Sequence, residues 1–126
     1  MRYWNQLIKH DPPRQYGDCL RTCIACILDL EPAAVPHWFS RGDYDNPFTE
    51  MERWLNSRGY GSVFISIESL NGIEESAPNI YHIILSDGGH AVIGVNGKIE
   101  HDPSWSKIGI DKPIGLIFLC DRIKKI

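Results

Sequence analysis

No stretch of this 126-residue chain approaches a membrane span, which would need about 20 consecutive apolar residues. Basic residues are not in excess either. The chain has 13 Lys and Arg against 16 Asp and Glu, a formal net charge of -3, and its one basic run is Arg122-Ile-Lys124-Lys125 at the end. A nucleic-acid binder ordinarily carries a basic face, so neither a membrane nor a nucleic-acid partner is expected. Repeats, low-complexity tracts and a linker are also missing, and the length matches one domain, 1–126. The first residues, Met1-Arg2-Tyr3-Trp4, hold no apolar core of signal-peptide length, so a cytoplasmic location is expected. There are four cysteines. Cys19, Cys23 and Cys26 share one helical segment, where a disulfide fits poorly, so reduced thiols are expected. The same continuous spacing is wrong for a zinc knuckle; no metal and no cofactor are expected.

What is present reads as two helices followed by strands. Tyr16-Gly17 is a turn, and the segment from Asp18 to Leu30 is the first helix, with Asp18 as its N-cap. Leu20, Cys23, Ile24, Ile27 and Leu30 recur at helical spacing, so this helix is largely buried. A second helix runs from Pro47 to Ser57, capped by Asn46 and stopped at Gly59, with Phe48, Met51, Trp54 and Leu55 as its inward stripe. Strands follow at Gly61 to Glu68, which alternates and is β-branched, Asn79 to Leu85, His90 to Val95, Lys98 to Asp102 and Ile114 to Cys120, with loops over Arg41 to Pro47 and Ser69 to Pro78. This layout is α+β, with the N-terminal helix packed on an antiparallel β-sheet.

Three residues carry the chemistry. Cys19 opens a helix, where unpaired backbone N–H groups and the positive end of the macrodipole favour a thiolate and can serve a developing oxyanion. His90 begins a strand after Asp87-Gly88-Gly89, which leaves its imidazole at a sheet end. Asp102 lies on the partner strand of the same hairpin. A strict two-residue turn at Asn96-Gly97 pairs His90 with Pro103 and sends Asp102 to the opposite face. A three-residue turn, with Gly97 in the left-handed position of a bulge, sets His90 opposite Asp102. Gly97 permits both; the bulged register is expected because it lets Asp102 orient the ring.

The run Gln15-Tyr-Gly-Asp-Cys19 before an apolar helix resembles the nucleophile segment of papain-like cysteine peptidases, including the bacteriocin-processing branch. His90-Ala-Val-Ile, a short hairpin and Asp102-Pro103 resemble the family's His-and-Asp-Pro segment, in the family's order. The Gly-Asp-Cys-Leu-Arg helix is similar also to small phage and bacterial proteins. The resemblance implies a stand-alone papain-like cysteine hydrolase. Cys19 would be nucleophile, His90 base, Asp102 orienting residue and Gln15 oxyanion donor. Gln15 stands four residues before the cysteine, where the family's glutamine usually stands five or six before.

The expected substrate is a peptide, isopeptide or related amide, such as a protein tail, with Gly17, Asp18, Gly89 and Trp105 at its binding cleft. Cys23, Cys26 and Cys120 read as structural, His82 and Trp54 as core, His101 as pointing away from His90, and His37 as a candidate cleft residue. Acyl transfer by the same triad, or a silent binding module on the same fold, are the alternative readings.

Overall fold

A computed structural model describes residues 1–12, 14–40, 46–67, 79–86, 89–96, 98–110 and 112–121. Helix α1 spans Cys19–Leu28, a 3-10 turn Pro32–Ala34, and helix α2 Pro47–Ser57. Strands follow as β1 (Tyr60–Ser66), β2 (His82–Ser86), β3 (Ala91–Val95), β4 (Lys98–His101) and β5 (Pro113–Asp121). The fold is α+β, with an antiparallel five-stranded sheet in the order β1-β5-β2-β3-β4. The last strand therefore enters the middle of the sheet, and Leu116 and Ile117 of its apolar run are buried there. β1 is left at an edge, and Val63 and Phe64 are both exposed, so the alternation read in this strand is not a burial pattern. The loop expected over Ser69 to Pro78 and most of the one over Arg41 to Pro47 lie outside the described residues.

α1 lies against β3 and β2. Leu20, Thr22, Cys23, Ile24, Ala25 and Cys26 are all buried, and Ile24 belongs to the same main core as Ile83, Ile93, Ile117, Val35 and Leu55. The helix stops at Leu28, short of the expected Leu30. Asp29 turns into the left-handed region at φ 57°, and the N–H groups of Asp29 and Leu30 return to the carbonyls of Cys26 and Ala25. α2 has the expected bounds. Asn46 Oδ1 accepts from Thr49 N–H, and Gly59 follows at φ 87°. Met51 and Leu55 are buried, but Phe48 is not part of the inward stripe: it is exposed and packs edge-on against Phe39.

Two expectations about local geometry are corrected. Asp18 stands at the N-cap position, yet its carboxylate makes no capping hydrogen bond. It is buried and accepts instead from the N–H groups of Leu7 (3.3 Å) and Ile8 (2.8 Å) and from Arg21 Nε (2.9 Å). The bulge also lies elsewhere. Val95 pairs with Lys98, leaving a two-residue connection, and Gly94 pairs with Ile99; Ile93 then pairs with His101, which makes Glu100 the extra residue. An inserted residue moves every later side chain to the other face. The bulge thus sits at Glu100 in β4 and not at Gly97 as expected, and returns Asp102 to the face of His90. No helix among the described residues is long and apolar enough to cross a membrane.

Candidate active site

The first turn of α1 brings Cys19 to the sheet at the point where β2 returns as β3. Gly89 takes φ 82° in this turn, and the hydroxyl of Ser86 accepts the N–H of His90 at 3.1 Å. Cys19 Sγ lies 3.7 Å from the carbonyl of Gly89, to which the thiol donates, and the N–H of Ala91 points at the same sulfur. The nucleophile candidate is thus held by the backbone on both sides of His90. Burial pushes the Cys19 thiol up to about 11; the N–H groups of Ala91, Leu20 and Cys19 pull it down, and the nearby Asp18 raises it. The thiolate expected from the helix terminus is therefore not the resting form. Desolvation outweighs the partial charges of the helix end.

His90 and Asp102 meet, with Nε2 and Oδ1 2.8 Å apart. The carboxylate is buried in a nest of donors. Ser104 N–H (2.9 Å) and the Ser104 hydroxyl (2.8 Å) reach Oδ1, and Gly109 N–H (2.6 Å) reaches Oδ2. Burial raises the Asp102 pKa, but the hydrogen bonds from Ser104, Gly109 and His90 outweigh it, and the net shift is downward. A carboxylate at Nε2 holds the ring proton on that nitrogen, which leaves Nδ1 as the basic site. Lys107 Nζ adds a bond to the carbonyl of Asp102 (2.6 Å) and one to Asn5 Oδ1 (2.7 Å), closing the 102–109 loop over the N-terminal arm.

Gln15 is not brought to Cys19. Its amide donates to the carbonyl of Lys9 (2.7 Å), its backbone pairs with that of Asp11, and it is not among the residues that line the cleft. Gln6 stands there instead. It is buried, its N–H donates to Pro103 O and its carbonyl accepts Trp105 Nε1–H, both at 2.8 Å. Its side-chain Nε2 donates one proton to Ile8 O (2.7 Å) and keeps a second, while Oε1 has no partner among the described residues. Two features deliver Gln6: Asp18 receives the adjacent N–H groups, and Gly17 has no side chain. A Cβ at Gly17 would stand 2.9 Å from His10 Cβ and 3.2 Å from Gln6 Nε2. Gln6 precedes the helix by a loop with no periodicity, and only the buried Asp18 next to Cys19 hints that an arm folds back.

Two lobes open on either side, and both include Cys19, Gly89, His90 and His10. The aromatic lobe, about 340 Å³, is walled by Tyr16, Gly17, Trp38, Phe39, Phe48 and Leu85, with His37 held by its bond to Tyr16 O. The polar lobe, about 450 Å³, has Gln6, Lys9, Ser104, Trp105 and Ile108. Both are near the lower end of the range of ligand clefts, a size for a short segment. Of the expected cleft residues, Gly17, Gly89 and Trp105 line it, whereas Asp18 lies buried behind it. No family model, no curated protein and no solved structure matches the chain. The site is therefore read from its own geometry.

The remaining residues fall as follows. Cys23 and Cys26 are buried, and Cys26 Sγ accepts Trp4 N–H at 3.2 Å. Cys120 is exposed at the end of β5, not a packed residue as expected, because Gly61 opposite it offers no side chain to cover it. His82 is buried beside Phe118, and His101 bonds Trp4 O away from His90. Trp54 is partly buried, edge-on to Trp38. Among the described residues no group of three or more His, Cys, Asp or Glu is placed to hold a metal ion.

Proposed function

We propose that the chain is a cysteine-dependent hydrolase of a peptide, isopeptide or related amide bond, built on a papain-like arrangement and working in the cytoplasm. The observation that carries this reading is the 2.8 Å bond between His90 Nε2 and Asp102, at a cleft where Cys19 is held by Gly89 and Ala91. The order Cys, His, Asp and the placement of the nucleophile at the start of a helix on an antiparallel sheet support it.

Because the resting thiol is neutral, His90 acts as a general base during attack and not as half of a standing ion pair. Cys19 S–H passes its proton to Nδ1 as the sulfur bonds to the carbonyl carbon. The oxyanion is met by the helix-start N–H groups, which no side chain caps, and by the second Nε2 proton of Gln6. The imidazolium, stabilised by Asp102, then protonates the departing nitrogen; the C–N bond breaks and a thioester remains. Water, deprotonated by His90, attacks the thioester, the C–S bond breaks and the thiol is restored.

The test is amine release from short peptide amides with a large apolar residue, read together with the intact mass of the protein. Wild type should release amine and show an acyl adduct on Cys19. Cys19→Ala should do neither, and His90→Ala should be slower by at least about 10²-fold. A wild type with neither turnover nor adduct overturns the reading. The burial of Cys19, 7 % exposed, favours one second reading, a binding module that holds a partner's tail without turnover, and that result would leave it standing.

A further inference from the structure

The polar lobe carries a recognition pattern that bond cleavage itself does not need. Lys9 and His10 follow each other on the N-terminal arm, and both line this lobe beside Cys19. Lys9 forms no ion pair among the described residues. Its ammonium is a strongly hydrated point charge suited to an anion. His10 is fixed in one tautomer: Nδ1 accepts the N–H of Gly17 at 3.1 Å, so its other ring nitrogen bears the proton and donates. No Asp or Glu is found among the described residues of either lobe, in a chain with 16 of them.

We infer that the polar lobe is a carboxylate subsite, in which Lys9 and His10 bind an anionic group. This rests on the proposed amide hydrolysis and narrows its substrate class. The aromatic lobe takes a large apolar group on one side of the bond. The polar lobe takes an amino acid unit with a free carboxylate on the other. The preferred substrate is then an acylated amino acid or a peptide cut close to its C-terminus.

Two thiol reagents that differ only in charge test this without a known substrate. N-iodoacetylglycine carries an N–H followed by a carboxylate, and N-iodoacetylglycinamide carries a neutral amide in its place. Alkylation rates at Cys19 and at the exposed Cys120, the reference thiol, are read by peptide mass spectrometry. Cys19 should favour the anionic reagent relative to Cys120. Lys9→Gln and His10→Gln should each lower that preference by about two- to fivefold, the range for a charge contact near the surface, with each variant's own rate for the neutral reagent as its reference. A preference that survives both substitutions overturns the subsite and leaves the hydrolase reading intact. A Cys19 silent to both reagents at every pH overturns the subsite together with the hydrolase reading.

Discussion

Replacing Asp18 by Ala tests how the site is assembled. The carboxylate is buried and serves Leu7 N–H, Ile8 N–H and Arg21 Nε. Removing it leaves a guanidinium that is 14 % exposed with one long bond, from Nη1 to Val35 O at 3.4 Å; breaking such a largely buried pair costs about 3–5 kcal/mol. The two backbone donors lose their partner at the same time, at about 1–3 kcal/mol for a buried one. Leu7 is 62 % exposed, so water takes over much of its share. These effects overlap, and a total loss of about 3–5 kcal/mol is expected. Asp18→Asn keeps an acceptor for Ile8 but no charge for Arg21, so its loss should be smaller, about 1–3 kcal/mol. With a urea slope of about 2 kcal/mol/M, Asp18→Ala should lower the unfolding midpoint by about 2 M. Urea titration followed by tryptophan fluorescence measures this, and hydrogen exchange at the Leu7 and Ile8 amides reports on the arm. If Asp18→Ala unfolds within 1 kcal/mol (about 0.5 M) of wild type, or if both amides keep their protection, Asp18 does not pin the arm.

Gly17→Ala should destabilise by about 1–3 kcal/mol and displace Gln6 and His10, since the new methyl would meet His10 Cβ at 2.9 Å; wild-type melting and wild-type Cys19 alkylation together would contradict this. The Cys19 thiol, raised to about 11, stabilises the fold fully below its unfolded pKa of about 8.5 and loses that contribution as pH rises through 11, about 3 kcal/mol in all. Urea midpoints should therefore fall between pH 8.5 and 11, and less steeply in Cys19→Ala; equal slopes would refute the burial argument. Asp102, with its pKa lowered, stabilises above the ordinary carboxylate value of about 3.9 and loses this as pH falls through its folded value. In Asp102→Asn the acid side of the stability profile below pH 4 should flatten, and an unchanged profile would show that the Ser104 and Gly109 bonds are not made in solution. Ser86→Ala removes the acceptor of His90 N–H and should cost about 0.5–1.5 kcal/mol; an unchanged melting curve would mean that the turn holds without it.

Local pattern made the elements legible. The cap at Asn46 with Pro47, and the three-and-four spacing of Leu20, Cys23 and Ile24, mark two helices, because capping and amphipathic burial are short-range effects. The apolar run before Cys120 marks a buried strand, though nothing nearby tells that it enters between β1 and β2. The two-residue turn and the Glu100 bulge were out of reach for the same reason. Register depends on which face of β4 is buried against distant residues, and Gly97 allows either turn.

For the candidate site, sequence by itself determined that Cys19 opens a helix and that His90 and Asp102 share one hairpin. Those are matters of spacing and local geometry. Only the tertiary structure decided the bond between His90 and Asp102, the burial that keeps Cys19 a thiol, and the exchange of Gln15 for Gln6 beside it. Each depends on segments far apart in the chain coming together: desolvation needs a completed core, and Gln6 reaches the cleft because the buried Asp18 carboxylate next to Cys19 gathers the arm's backbone donors and Gly17 leaves room for it.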